Sequence, residues 1–275
     1  QLESETVDAG QDAFFHVSTD YGIIQGVADG VGSWGEDGVD PSAFAWAMME
    51  NAASIAKELG SAKNNPNKSM VDAGVVLSKA FENTVAGGKV EAGSATTSIL
   101  TLSNDSGILN AAVLGDSAFL LIRNGRVHYQ SASQQHVFNF PYQLGIVPKR
   151  YRRRSAKDSP SDADQSTHQL QDGDVILLAT DGLHDNVFID EIVSIVNEEL
   201  SNNDGDSRAM DVEELTEDIR KLAKRLTYTA SKYSQSSSGD SPYAKAYRAR
   251  KDVPRQGGKP DDIALLVTLV RTNHK

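Results

Sequence analysis

The helix-forming segments of this chain come in pairs set between blocks of short strands, and that order narrows the folds open to it. Two strands are expected at 13–19 and 23–29, around the Tyr21-Gly22 turn. Asp40-Pro41 then joins an N-cap to a proline at the first helical position, and the Ala/Met-rich segment behind it stops at Gly60. A polar loop over 61–68 leads to a second helix at 71–85, where Leu77, Phe81 and Val85 recur at helical spacing before Gly87-Gly88. Strands follow at 96–102, 108–114, 118–123 and 126–129, the last two joined by the hairpin dipeptide Asn124-Gly125. Another strand pair flanks Asp172-Gly173 and includes the wholly apolar 175–179. Two more helices come next, the second carrying Val212, Leu215, Ile219, Leu222 and Leu226 on one stripe. A Ser/Gly/Tyr-rich loop at 231–259 and a strand at 262–272 complete the order.

Because single strands do not alternate with single helices, the pattern argues against a Rossmann fold or a barrel of parallel βαβ units. It favours an α+β class with antiparallel sheets covered by helix pairs. With no internal repeat and no long linker, residues 1–275 read as a single domain. The segment "KRYRRRSAKDSPSDADQ" (149–165) reads as a surface insertion, and its basic front, 149–154, as a solvated face rather than a substrate or phospholipid clamp.

Composition removes several function classes. There is no cysteine, so a thiol nucleophile, a disulfide and a thiolate zinc site are all impossible within this chain. Net charge is −11, from 38 acidic against 27 basic residues, which disfavours nucleic acid as the main partner. The longest apolar runs, such as 263–270, are far shorter than the roughly 20 residues of a membrane-spanning helix. Gln1 is not an initiator methionine, so a processed chain whose targeting sequence is missing is one expectation.

Carboxylates recur at strand ends. Val27-Ala28-Asp29-Gly30, Leu114-Gly115-Asp116-Ser117 and Ala179-Thr180-Asp181-Gly182 each close an apolar run, and Asp185 lies four residues beyond Asp181. Asp261-Asp262 and Asp12 each open one. A single Asp-Gly pair after a strand is ordinarily a turn, since aspartate bonds its own backbone and glycine supplies positive φ. Five such places are another matter: convergent carboxylates repel one another unless cations lie between them. Oxygen ligands alone suit a hard ion such as Mg²⁺ or Mn²⁺, and Gly30 offers a backbone carbonyl with no side chain in the way.

The blocks "VADGVG", "GSATT", "LGDSA", "ATDGLHDN" and "KPDDIALLV", in this order across nearly the whole chain, resemble the signature of metal-dependent protein phosphatases of the protein phosphatase 2C type. The run "GVADGVGSWGEDGVDPSAF" is similar to the mitochondrial branch of that family, linked to ubiquinone biosynthesis. The resemblance implies a four-layer αββα sandwich, two antiparallel sheets flanked by helix pairs. It implies that Asp29 bridges two ions, that the Gly30 carbonyl reaches the first, and that Asp181 and Asp261 hold the second. Asp116 and Asp185, with Asp181, match the positions of a weaker third ion, and Asp12 those of an outer-sphere residue. Residues 93–97 match a packing motif beneath the site.

The resemblance implies that two divalent ions held by these aspartates would activate a shared water for in-line attack on a phosphoserine or phosphothreonine. The same ions would neutralise charge on the phosphoryl oxygens, so that no protein nucleophile is needed. Four positions depart from the family pattern: Val31 where histidine often follows the Asp-Gly pair, Val7 in place of a phosphate-clamping arginine, Gln11 in place of Glu, and Asp262 in place of Asn. His184 reads as a loop or structural histidine. Tyr243, Tyr247 and Arg248 fall in a loop that serves either as a substrate flap or as a plain connection. The implied partners are phosphoprotein substrates, with mitochondrial location following from the branch. A small-molecule phosphomonoesterase and a weakly active phosphatase-like binding module are the competing readings.

Overall fold

The structure is a computed structural model and describes residues 10–65, 70–151, 158–200 and 212–272. Val7 and the 152–154 part of the basic run lie outside them. β1 (Asp12–Thr19) and β2 (Gly22–Asp29) form an antiparallel pair with Asp12 opposite Asp29. α1 (Pro41–Leu59) begins at Asp40, whose carboxylate accepts from the Ser42 amide at 2.9 Å. α2 (Ala73–Ala86) begins at Asp72, which accepts from the Val75 amide at 2.9 Å. Then come β3 (Gly93–Ala95), β4 (Thr97–Ser103), β5 (Ile108–Leu114), β6 (Ala118–Arg123) and β7 (Arg126–Gln130). The short β8 (Gln135–Val137), β9 (Phe140–Pro141) and β10 (Leu144–Ile146) precede β11 (Asp164–Gln169) and β12 (Val175–Ala179). α3 (Asp181–His184), α4 (Ile189–Leu200), α5 (Val212–Ser234), α6 (Pro242–Lys251) and β13 (Leu265–Leu269) follow.

One sheet runs β1-β2-β4-β5-β11 and a second runs β13-β12-β6-β7, every neighbouring pair antiparallel. Side-chain alternation along β6 explains the layering. Phe119 and Leu121 turn toward the first sheet and join Val27, Leu100, Leu109 and Val113. Leu120 and Ile122 turn the other way, onto Ile192, Leu222 and Leu226 of α4 and α5. On its outer face the first sheet sets Phe15, Ile24, Ile99 and Leu114 against Phe44, Met48, Met49 and Leu77 of α1 and α2. The layers are therefore helices, sheet, sheet, helices. Strands in the middle layers bury both faces, which is why β12 reads as an unbroken apolar run.

The sequence expectations need three corrections. The strands flanking Asp172-Gly173 do not pair: β11 bonds β5 in the first sheet and β12 bonds β6 and β13 in the second. The turn carries the chain from one sheet to the other, a distinction local turn chemistry does not encode. The 231–259 stretch contains the end of α5 and all of α6. α6 buries only Ala244, so it has no apolar stripe to betray it. It starts at the Ser241 cap, which accepts from the Ala244 amide at 3.0 Å, with Pro242 behind it. Finally, the last strand spans 265–269 rather than 262–272: Ala264 exchanges hydrogen bonds with Thr180, and Val270 donates to the Asp174 carbonyl in the turn before β12. Among the described residues no helix is long and apolar enough to cross a membrane.

Candidate active site

Strand ends from both sheets meet at one edge of the sandwich. Asp29 ends β2, Asp116 sits where the chain passes from β5 to β6, and Asp181 opens α3 behind β12. One oxygen from each of these three carboxylates lies within 4.8 Å of the other two. Oδ1 of Asp116 and Oδ1 of Asp181 are buried, and neither has a hydrogen-bond partner among the described residues. Asp12, opposite Asp29 in the β1–β2 register, accepts from the Thr180 hydroxyl at 2.8 Å. Asp185 follows α3, and Asp261 lies in the loop before β13.

The residues beneath this cluster are fixed by hydrogen bonds. Thr96 accepts from the Asp29 amide at 3.2 Å, and its hydroxyl lies 2.7 Å from that of Ser117, next to Asp116. Ser94 accepts from Trp34 Nε1 at 2.7 Å and lies 2.6 Å from Gln143 Oε1. Residues 93–97 are buried throughout, as a packing motif requires. The glycine-rich loop after Asp29 is thus anchored by Trp34, which is also buried. Gln135 donates to Asp116 Oδ2 at 2.8 Å and ties the β8–β9 hairpin to the site.

Two glycines are required by close approach. A Cβ on Gly30 would lie 2.4 Å from the Pro41 carbonyl oxygen and 2.5 Å from that of Gln11. A Cβ on Gly182 would lie 2.0 Å from the Asp262 carbonyl oxygen, so the Asp261-Asp262 loop can rest on α3 only if residue 182 is glycine. Asp262 itself accepts from the Gln11 amide at 2.8 Å and joins the loop before β1 to the loop before β13.

Crowded carboxylates shape the electrostatics. Burial pushes Asp12 up to about 8, against the Thr180 hydrogen bond that pulls it down. Burial and the neighbouring Asp181 push Asp116 up to about 7. The same two causes hold Asp29 well above the ordinary carboxylate range. Asp185 and Asp261 rise to about 6 through burial and Asp181, with Lys259 opposing.

Lys259 was not anticipated from the sequence. Its Nζ donates to Asp181 and, at 2.9 Å, to Asp185 Oδ2, and lies 3.0 Å from Asp261 Oδ2. Burial alone would depress this ammonium, but the three carboxylates outweigh burial and hold its pKa above the usual lysine value. The available signal was a cation directly before the Pro260-Asp261-Asp262 block. Nor did the sequence mark Thr180 and Gln135, whose partners are distant along the chain.

His184 lies between Asp181 and Asp185, but both ring nitrogens are buried, with the Ala118 backbone as a polar neighbour of the ring. Burial pushes its pKa down, opposed by the nearby Ala118 backbone and Asp181. Such a ring favours the neutral form, in keeping with a structural histidine. Oxygen donors from acidic side chains, two of them buried and otherwise unsatisfied, fit a hard divalent cation.

The family model described as Stage II sporulation protein E matches residues 36–232. The PTC7 protein phosphatase homolog of Homo sapiens is 36% identical over 264 residues, covering 95% of this chain and 79% of that one. This chain belongs to the protein phosphatase 2C family of metal-dependent protein phosphatases. The 5-azacytidine resistance protein azr1 of Schizosaccharomyces pombe is 35% identical over 272 residues, covering 97% of this chain and 84% of that one. Among solved structures, the photosystem II phosphatase PBCP superposes with a TM-score of 0.75 at 32% identity, covering 96% of this chain and 92% of that one. The layered fold agrees with this assignment, and the strand-end aspartates are the feature a protein phosphatase 2C would be expected to place together.

Proposed function

We propose that this phosphatase hydrolyses phosphoserine and phosphothreonine on proteins with two Mg²⁺ or Mn²⁺ ions held by Asp29, Asp181, Asp261 and the Gly30 carbonyl. Asp116 and Asp185 would hold a weaker third ion with Asp181, and Asp12 would act from the outer sphere. The observation that carries the reading is the meeting of Asp29, Asp116 and Asp181 with two buried, unbonded oxygens among them. Bound there, divalent ions supply Lewis-acid activation of water and neutralise the phosphoryl charge. The chain's own contribution is placement. The Thr96 hydroxyl fixes the backbone that carries Asp29, Gln135 orients the Asp116 carboxylate, and the Asp262 contact with Gln11 sets the loop that carries Asp261. The chain has no cysteine to serve as a thiol nucleophile, and the Thr96, Ser117 and Thr180 hydroxyls beside the carboxylates are engaged in hydrogen bonds.

Substrates among mitochondrial phosphoproteins, including those of ubiquinone biosynthesis, are supported by the branch-like run at 26–44 and by similarity to PTC7 homologs. A second reading, phosphoproteins of photosystem II, has its own support in the likeness to a photosystem II phosphatase. Imaging the full-length protein fused to a fluorescent reporter separates these two locations. To test substrate class, kcat/KM for a phosphothreonine peptide is compared with those for a sugar phosphate and a nucleotide in Mn²⁺. A preference for the peptide supports protein dephosphorylation. A preference for either small molecule indicates the phosphomonoesterase, and turnover of none of them indicates the binding module.

A further inference from the structure

We propose that Lys259 is a tethered counter-ion of the site: its ammonium holds Asp181, Asp185 and Asp261 together in the metal-free chain and must leave when a divalent ion enters. The inference rests on the reading of those carboxylates as metal ligands. Lys259 is then a positioning residue that sets how tightly this half of the site takes metal. Three carboxylates converge on one ammonium, with the Asp185 and Asp261 oxygens at 2.9 and 3.0 Å. A divalent ion bound by the same oxygens would occupy that space, and like charge would expel the ammonium.

The backbone around Lys259 is held while its side chain can turn. Asn186 accepts from the Lys259 amide at 2.8 Å and donates to its carbonyl at 2.9 Å, and the same Asn186 amide group donates to the Gly182 carbonyl at 2.9 Å. Lys259 is thereby locked to α3, the element that carries Asp181. Pro260 follows, with its φ restricted by the ring. The flexible four-carbon stem is the part that can move; the Tyr243 ring centroid already lies 5.6 Å from Nζ and is shared with the Arg255 guanidinium at 5.7 Å. Competition of this kind is reciprocal, so removing the ammonium should strengthen metal binding by the factor that metal weakens the lysine's hold.

Calorimetric titration with Mn²⁺ is compared for wild type, Lys259→Met and Lys259→Arg, alongside melting in EDTA. Lys259→Met should bind Mn²⁺ about tenfold more tightly and melt lower in EDTA, whereas Lys259→Arg should restore the melting temperature and the weaker binding. Unchanged or weaker Mn²⁺ binding by Lys259→Met would overturn the proposal, because a purely structural ion pair gives no gain in affinity. Should that variant not fold in EDTA, wild type supplies the second readout. Reductive methylation of Lys259 should accelerate several-fold on adding Mn²⁺, with the exposed Lys57 as an unaffected control. An unchanged Lys259 rate overturns the inference alone, whereas no Mn²⁺ binding by wild type overturns the metal reading and the inference with it.

Discussion

Thr180 donates its hydroxyl hydrogen to Asp12 Oδ2 at 2.8 Å and so links residues 168 positions apart in the chain. Asp12 begins the edge strand of one sheet, and Thr180 follows the inner strand β12 of the other. The same hydroxyl accepts from the Ala264 amide at 2.9 Å, and the Thr180 amide donates to the Ala264 carbonyl at 3.0 Å. One side chain therefore stitches the two sheets together at the floor of the carboxylate cluster.

Thr180→Val keeps the shape and removes the hydroxyl, leaving a buried carboxylate and a buried amide without their partner. The expected loss is about 1–3 kcal/mol of stability, measured as a lower urea midpoint with unchanged slope. Thr180→Ser should recover most of it. An unaltered midpoint in Thr180→Val would show that the bond adds nothing net.

How much of this was legible beforehand follows from which interactions are local. Asp40-Pro41 and Gly60 delimit α1 by chemistry within a few residues, and the structure places the helix between them. The strand-end aspartates stood out because each closes or opens an apolar run. What stayed hidden depends on chain-distant partners: Lys259 among its carboxylates, Thr180 on Asp12, and β11 and β12 dividing between sheets. α6 escaped for a different reason, since a helix burying only Ala244 leaves no periodic signature.

Gly182→Ala tests the seat of the Asp261 loop. The added methyl would lie 2.0 Å from the Asp262 carbonyl oxygen, so the loop must move off α3. A shift near 1 Å in a reacting group costs about 10²-fold in rate, and a loss of that size in kcat with a largely retained circular dichroism spectrum is expected. Full activity in this variant would mean that the position of Asp261 does not matter to turnover.

The stability of the metal-free protein should fall as pH rises from 6.5 to 8. In this window the unfolded chain has already released its carboxyl protons, while Asp116 and Asp12 titrate only at about 7 and about 8 when folded. The folded state thus holds more protons, and the slope of stability against pH is negative until both groups have ionised. Below 6.5 the lowered pKa values of His16, His168 and His184 act in the opposite sense, so the window starts there. Melting temperatures in EDTA should decline across it, less steeply in Asp12→Asn, and Mn²⁺ should remove most of the decline. A flat profile for wild type contradicts the burial of charge described here.

The most direct measurement is turnover of a phosphothreonine peptide by the EDTA-treated protein, with and without added Mn²⁺, for wild type and for Asp181→Asn. The account predicts turnover only when Mn²⁺ is restored, and a loss of at least about 10²-fold in Asp181→Asn while the variant stays folded. Undiminished hydrolysis in EDTA, or full activity in Asp181→Asn, would contradict it.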